Sequence, residues 1–176
     1  MAVTPCNGFE RRCCRVSSNR IETLIDEVQA AFDRRPTDIE EGLGTDEADV
    51  LQLRKSCRLL AGAETLLEQG FYTLVVEASF VAIERAIEFK LLEGGINARD
   101  LPGTHPGVYT EAARRGILSQ HVAENLQDLW RNHRAKTYYQ DGLATNERAE
   151  KVFALASESH DFVVNQSSKR HECRCE

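Results

Sequence analysis

Apolar residues recur along this chain at spacings of three and four, the period of a helix that buries one face. The first stripe, Ile21, Leu24, Ile25, Val28 and Phe32, predicts a helix over about 20–34, opened by the capping-box-like pair Asn19 and Glu22 and closed by Pro36. After an acidic, Gly-containing connector, Leu53, Cys57, Leu60, Ala63 and Leu67 predict a second helix over about 46–69 that stops at Gly70. The third, over about 71–92, is apolar on most sides, from Leu74 and Val75 to Ile87 and Phe89, which predicts a central position. Glu77, Glu84 and Glu88 nevertheless line up along it; such a stripe either faces solvent, the better reading for Glu88, or meets a cation. Gly94 and Gly95 end this helix, and a loop with Pro102, Gly103, His105 and Pro106 leads to a short helix over about 107–115 that stops at Gly116. Ser119 caps a further helix to about Tyr139, and Thr145 caps a last one to about Asn165, with Ala149, Val152, Phe153, Ala156, His160 and Val163 on its inner face. His160 reads as a hydrogen-bonded core histidine. Four long helices, two lesser ones and mostly short loops predict an all-α fold, an up-and-down helical bundle.

The chain is long enough to bury a core unaided, and one domain over 18–165 is expected between two disordered tails, a basic, Cys-bearing 1–17 and 166–176. A net charge of −6 argues against a broad non-specific nucleic-acid surface but leaves room for a local basic cleft. No apolar run has the length of a signal peptide or a membrane span, so no membrane contact and a cytoplasmic location are expected. Six Cys stand at 6, 13, 14, 57, 173 and 175. Cys57 reads as a small core residue. Adjacent Cys13-Cys14 and alternating His171-x-Cys173-x-Cys175 differ from the spaced pairs that wrap a tetrahedral zinc, so neither metal nor other cofactor is expected.

Candidate chemistry concentrates in Leu129–Asp141, read L-W-R-N-H-R-A-K-T-Y-Y-Q-D. At α-helical spacing Val122, Leu126, Leu129 and His133 share one face, which makes His133 structural, while Arg131, Arg134 and Tyr138 share another. Cations at a helix C-terminus are favourable on dipole grounds alone, which explains part of the pattern. The chain has no Gly-rich phosphate loop, no H-E-x-x-H and no G-x-S-x-G.

The texture of Val81-Ala82-Ile83-Glu84-Arg85-Ala86-Ile87-Glu88, then a loop with a short helix, then Leu129-Trp130-Arg131-Asn132, resembles the HEPN superfamily over roughly 46–165. The segment from Trp130 to Tyr138-Tyr139 is also similar to haloarchaeal members of it. The resemblance implies a homodimer and, in many members, a metal-independent ribonuclease paired as a toxin with a nucleotidyltransferase antitoxin. It places Arg131 and Asn132 at the Arg-polar positions of the family signature and, with a four-residue spacer, Lys136 where the family has His. Tyr138 then matches a Tyr that the antitoxin modifies in some members. Lys136 departs from the pattern, because Lys normally stays charged near neutral pH and so serves as a phosphate ligand rather than a base. Arg99 and His105, and Arg115 and His121, share a similar spacing, but each pair spans a helix break; His105 alone has a loop position from which to reach the cleft.

Three readings follow. In the favoured one, Arg131, Asn132, Arg134, Lys136 and Tyr138 line a basic cleft that binds RNA or a nucleotide phosphate, with a degenerate nuclease motif. In the second, the protein is an active ribonuclease toxin in which Lys136, Tyr138 or a His from elsewhere supplies the missing base. In the third, it is a structural or adaptor bundle in which Arg131 pairs with Glu77 or Glu84.

Overall fold

In the computed structural model, the described residues are 18–134, 136 and 142–175. The predicted N-terminal tail, with Cys6, Cys13 and Cys14, lies outside them, as do Tyr138 and Tyr139. Contacts divide the chain into units 1–39 and 40–176, so the single domain expected over 18–165 is split ahead of Glu40. In the first unit, α1 (Ser18–Phe32) carries the predicted stripe of Ile21, Leu24, Ile25, Val28 and Phe32, all exposed.

The second unit is a helical bundle. It contains α2 (Ala48–Glu68), α3 (Tyr72–Glu93), α4 (His105–Arg114), α5 (Gln120–Leu129), a π-helical turn (Trp130–Arg134) and α6 (Asn146–Asn165), with single 3₁₀ turns at Ala98–Asp100 and Arg170–Glu172. Among the described residues all regular structure is helical, and no helix is long and apolar enough to cross a membrane. The broad apolar coverage of α3 is used as its pattern predicts, because α2, α4, α6 and the π turn all pack on it. Phe80, Ile83, Ile87 and Phe89 of α3 are fully buried with Leu53 of α2 and Tyr109 of α4, each such apolar side chain contributing about 1.5–3 kcal/mol. Glu84 and Glu88 are buried too. The solvated face expected for Glu88 is therefore corrected: Arg85 of the preceding turn forms an ion pair with it, although burial still pushes its carboxyl above the usual range.

Helix ends follow local chemistry. Gly70 and Gly116 have φ of +79° and +72°, the left-handed conformation that lets the next amide return to the last turn, as Phe71 N does to Leu66 O and Ile117 N to Ala112 O. Ser119 and Thr145 accept hydrogen bonds from Val122 N and Arg148 N at the starts of α5 and α6. The long helix expected from Ser119 to about Tyr139 is α-helical over α5 and continues into the π turn; beyond Arg134 only Lys136 is among the described residues of that span.

The C-terminal tail expected as disordered from 166 is also corrected. It folds back along α2 because charged and hydroxyl side chains meet partners there. Glu93 accepts from Ser167 Oγ at 2.7 Å and from Ser168 N at 3.0 Å. Lys169 reaches Glu47 and Asp49 at 2.6 and 2.7 Å, and Arg54 donates to Glu172 at 2.7 Å. Cys173 is thereby brought beside Cys57.

Candidate functional site

The described site residues of this segment stand on the π turn and just beyond it. It adds one residue to a helical turn, so positions beyond it are rotated relative to an ideal α-helix. Arg134 continues the inward face of Ala123, Leu126 and Trp130, at i, i+3, i+7 and i+11, and points into the bundle. Its Nε donates to Glu77 Oε2 at 3.0 Å and its Nη1 to Glu84 Oε1 at 3.3 Å. The guanidinium also lies 5.9 Å from the Phe80 ring centre and 6.0 Å from that of Trp130, within cation–π range. The phosphate-binding role expected of Arg134 is therefore corrected: its charge is committed to two carboxylates inside the fold. The pairing expected of Arg131 with Glu77 or Glu84 is corrected as well. Arg131 is exposed, donates to Gln127 at 3.2 Å and lies 3.9 Å from Asp128.

Glu84, only 1 % exposed, is the hub of this arrangement. Besides Arg134 it accepts from His105 Nδ1 at 2.6 Å and from the Tyr109 hydroxyl at 3.4 Å. Burial, reinforced by the negative charge of Glu84, pushes the Tyr109 phenol far above its ordinary range, so it stays protonated and donates to that carboxylate. The His105 ring stacks on Trp130 with centroids 5.5 Å apart. With Nδ1–H given to Glu84, a neutral His105 presents an unprotonated Nε2, and its side chain is half-exposed.

Asn132 and Lys136 lie elsewhere, in a cleft of about 630 Å³ between the π turn and the start of α6. Its apolar wall includes Val76, Phe80, Leu129 and Val152. Lys136, Arg148 and Lys151, with His133, supply its basic groups against Glu147. Arg148 is fixed by a 2.6 Å bond from Nη1 to the Leu143 carbonyl. Thus Asn132 and Lys136 line one cleft, whereas Arg131 and Arg134 are not among the lining residues, and Tyr138 lies outside the described residues. His133, expected as a structural residue of the apolar stripe, is exposed at the cleft.

Sequence reasoning missed Arg148 and Lys151. They sit on the first turns of α6, and their signal was only that they fall off its apolar face. His105 was singled out for its loop position, while its partner Glu84 was assigned to a stripe without a named His.

No curated protein and no solved structure matches the chain. A family model does, over residues 16–175, a span that takes in α1, the whole helical bundle, both faces of the cleft and the folded C-terminal segment. With nearly its full length matched, the chain belongs to the DUF8154 family, a domain of unknown function.

Proposed function

We propose that the protein binds RNA or a nucleotide through its phosphate groups in the cleft formed by Asn132, His133, Lys136, Arg148 and Lys151. The observation that carries this reading is the composition of the cleft, three fixed-sign cations and a His around an apolar wall, on a chain whose net charge is −6. Lys136 and Lys151 act as point charges and Arg148 as an oriented fork for phosphate oxygens, while Leu129 and Val152 offer surface to a base or ribose. The reading keeps the HEPN-like bundle, its homodimer and its degenerate motif with Lys136 at the His position. Arg131 then contributes from outside the lining, and Tyr138 from the segment that follows.

The test is fluorescence anisotropy of a labelled single-stranded RNA in buffer without added metal. Lys136→Glu and Arg148→Glu are expected each to weaken binding about tenfold or more at unchanged melting temperature, as loss of a charge-assisted phosphate contact requires. Equal affinity of both variants and wild type would remove the cleft from the reading. Absence of binding to RNA and to a labelled nucleotide alike would leave the adaptor bundle.

A second reading, an active metal-independent ribonuclease paired with a nucleotidyltransferase antitoxin, is favoured by His105. Its Glu84 partner and Trp130 stacking hold an imidazole as a general base requires, which supplies the proton acceptor that Lys136 lacks. Cleavage of the same RNA that is lost in His105→Gln would establish it.

A further inference from the structure

Apart from the cleft, four side chains converge where α2, α6 and the C-terminal segment meet. The three sulfurs of Cys57, Cys173 and Cys175 and an imidazole nitrogen of His160 all lie within 4.8 Å of one another. From His160 Nε2 the sulfurs of Cys175, Cys173 and Cys57 are 3.2, 3.3 and 3.8 Å away, and Cys57 Sγ is 3.6 Å from Cys173 Sγ. A tetrahedral zinc with bonds of about 2.3 Å to sulfur and about 2.0 Å to nitrogen needs ligand-to-ligand edges of about 3.5–3.8 Å. The four atoms are thus spaced for one ion at their centre.

The hydrogen bonds behind the imidazole select its tautomer. Ser56 Oγ lies 2.9 Å from the Ala82 carbonyl oxygen, which can only accept, so the hydroxyl proton is committed there. The same Oγ is 2.9 Å from His160 Nδ1 and must accept from it, which puts the ring proton on Nδ1. Nε2 is left with a lone pair, and Nε2 is the atom that faces the three sulfurs. Orientation of a ligand histidine through its other nitrogen is the usual support of a metal site. The Arg174 amide donates to Cys57 Sγ at 3.3 Å, a contact that favours thiolate. The Lys169 and Arg54 ion pairs bring the last two cysteines into place without help from the metal.

We propose that Cys57, His160, Cys173 and Cys175 bind a single zinc(II) ion in a closed site that fastens the C-terminal segment to α2 and α6. Binding replaces the ion's water ligands by three thiolates and a neutral imidazole, and the thiol protons pass to solvent. Three sulfurs and one nitrogen suit zinc among the common divalent ions, and four protein ligands leave no position for an activated water, so the role is architectural. The expectation of no metal weighed only the spacing of tail cysteines with one another. Two of the four ligands stand on helices, Cys57 and His160 being 103 residues apart.

The experiment is zinc content per chain of full-length protein purified without chelator or immobilised metal, followed by cobalt(II) titration of the stripped protein, for wild type, Cys173→Ser, Cys175→Ser and Ser56→Ala. One equivalent of zinc is expected in the wild type, with the intense visible bands and thiolate charge-transfer absorption of tetrahedral cobalt. Each Cys→Ser variant is expected to lose these bands or shift them, and Ser56→Ala to bind cobalt roughly 10–100-fold more weakly. Chelator is expected to lower the melting temperature of the wild type and leave that of Cys173→Ser unchanged. The two C-terminal positions carry the test because substitution there leaves the packed helices intact, whereas His160 variants risk unfolding. Wild-type protein with neither zinc nor tetrahedral cobalt bands, bands indifferent to both Cys→Ser changes, or a Cys57–Cys173 disulfide in freshly purified protein would overturn the proposal.

Discussion

Arg134 donates to Glu84 across 3.3 Å inside the bundle, and three residues earlier Arg131 faces solvent beside Asp128. Two arginines of one short segment therefore have opposite energetic roles. Arg134→Ala leaves Glu84 and Glu77 without their shared cation and is expected to cost about 3–5 kcal/mol, the range for breaking a buried pair from one side. Arg131→Ala is expected to stay within about 0.5 kcal/mol of wild type. Urea denaturation of the two variants measures both, and similar midpoints would refute the assignment.

Glu93 gives the protein an acid-sensitive anchor. Burial works to raise its pKa, but hydrogen bonds from Lys90, Ser167 and Ser168 outweigh it and hold the carboxyl at about 2, against an ordinary 4.5. Because the folded value is depressed, this contribution is complete above about pH 4.5 and is lost as pH falls toward about 2. Glu93→Gln is expected to melt lower than wild type near neutral pH and to lose less on acidification to about pH 3. The comparison is two thermal melts per protein; parallel losses would remove Glu93 as the titrating group.

Two glycines make a matched pair. A Cβ at Gly107 would lie 2.9 Å from both Pro102 Cβ and Thr104 Oγ1, whereas one at Gly62, within α2, would meet nothing within 4 Å. Gly62→Ala is expected to stabilise by about 0.5–1 kcal/mol through helix propensity. Gly107→Ala, also helical, is expected to destabilise by about 1–3 kcal/mol by overpacking the entrance to α4, next to His105. Opposite signs in the melting shift are the measurement.

If the cleft binds single-stranded RNA, salt reports on it residue by residue. Neutralising Lys151 by Lys151→Gln is expected to reduce the slope of log affinity against log salt by about 0.7, the value for one phosphate contact on a single strand. The same change in Arg131→Gln would extend the contact surface beyond the cleft, and no change in Lys151→Gln would take that side chain out of it.

Much of the bundle was legible because its signals are local. The stripes of α2 and α3, the stops at Gly70 and Gly116 and the caps at Ser119 and Thr145 each depend on residues within one or two turns. What the pattern concealed depends on partners far along the chain. Nothing near Glu84 announces His105, Tyr109 and Arg134, which come from two later segments, α4 and the π turn. The C-terminal tail looks structureless by period because it is fastened by ion pairs and sulfur contacts rather than by an apolar stripe. Arg134 was misplaced for a different reason: the inner face was counted from Val122, which is exposed, whereas the buried face runs from Ala123 through Leu126 to Arg134.

The π turn has a wider consequence. An α-helix advances each residue by about 100° around its axis, so gaining or losing one residue rephases everything downstream. Between Trp130 and Arg134 the two sides of the segment serve different neighbours: Arg134 meets the carboxylates of α3, while Asn132, His133 and Lys136 open toward α6. Removal of a single residue there would exchange interior for surface along the segment, so a length change of one at this point would reassign function with no change in amino-acid type.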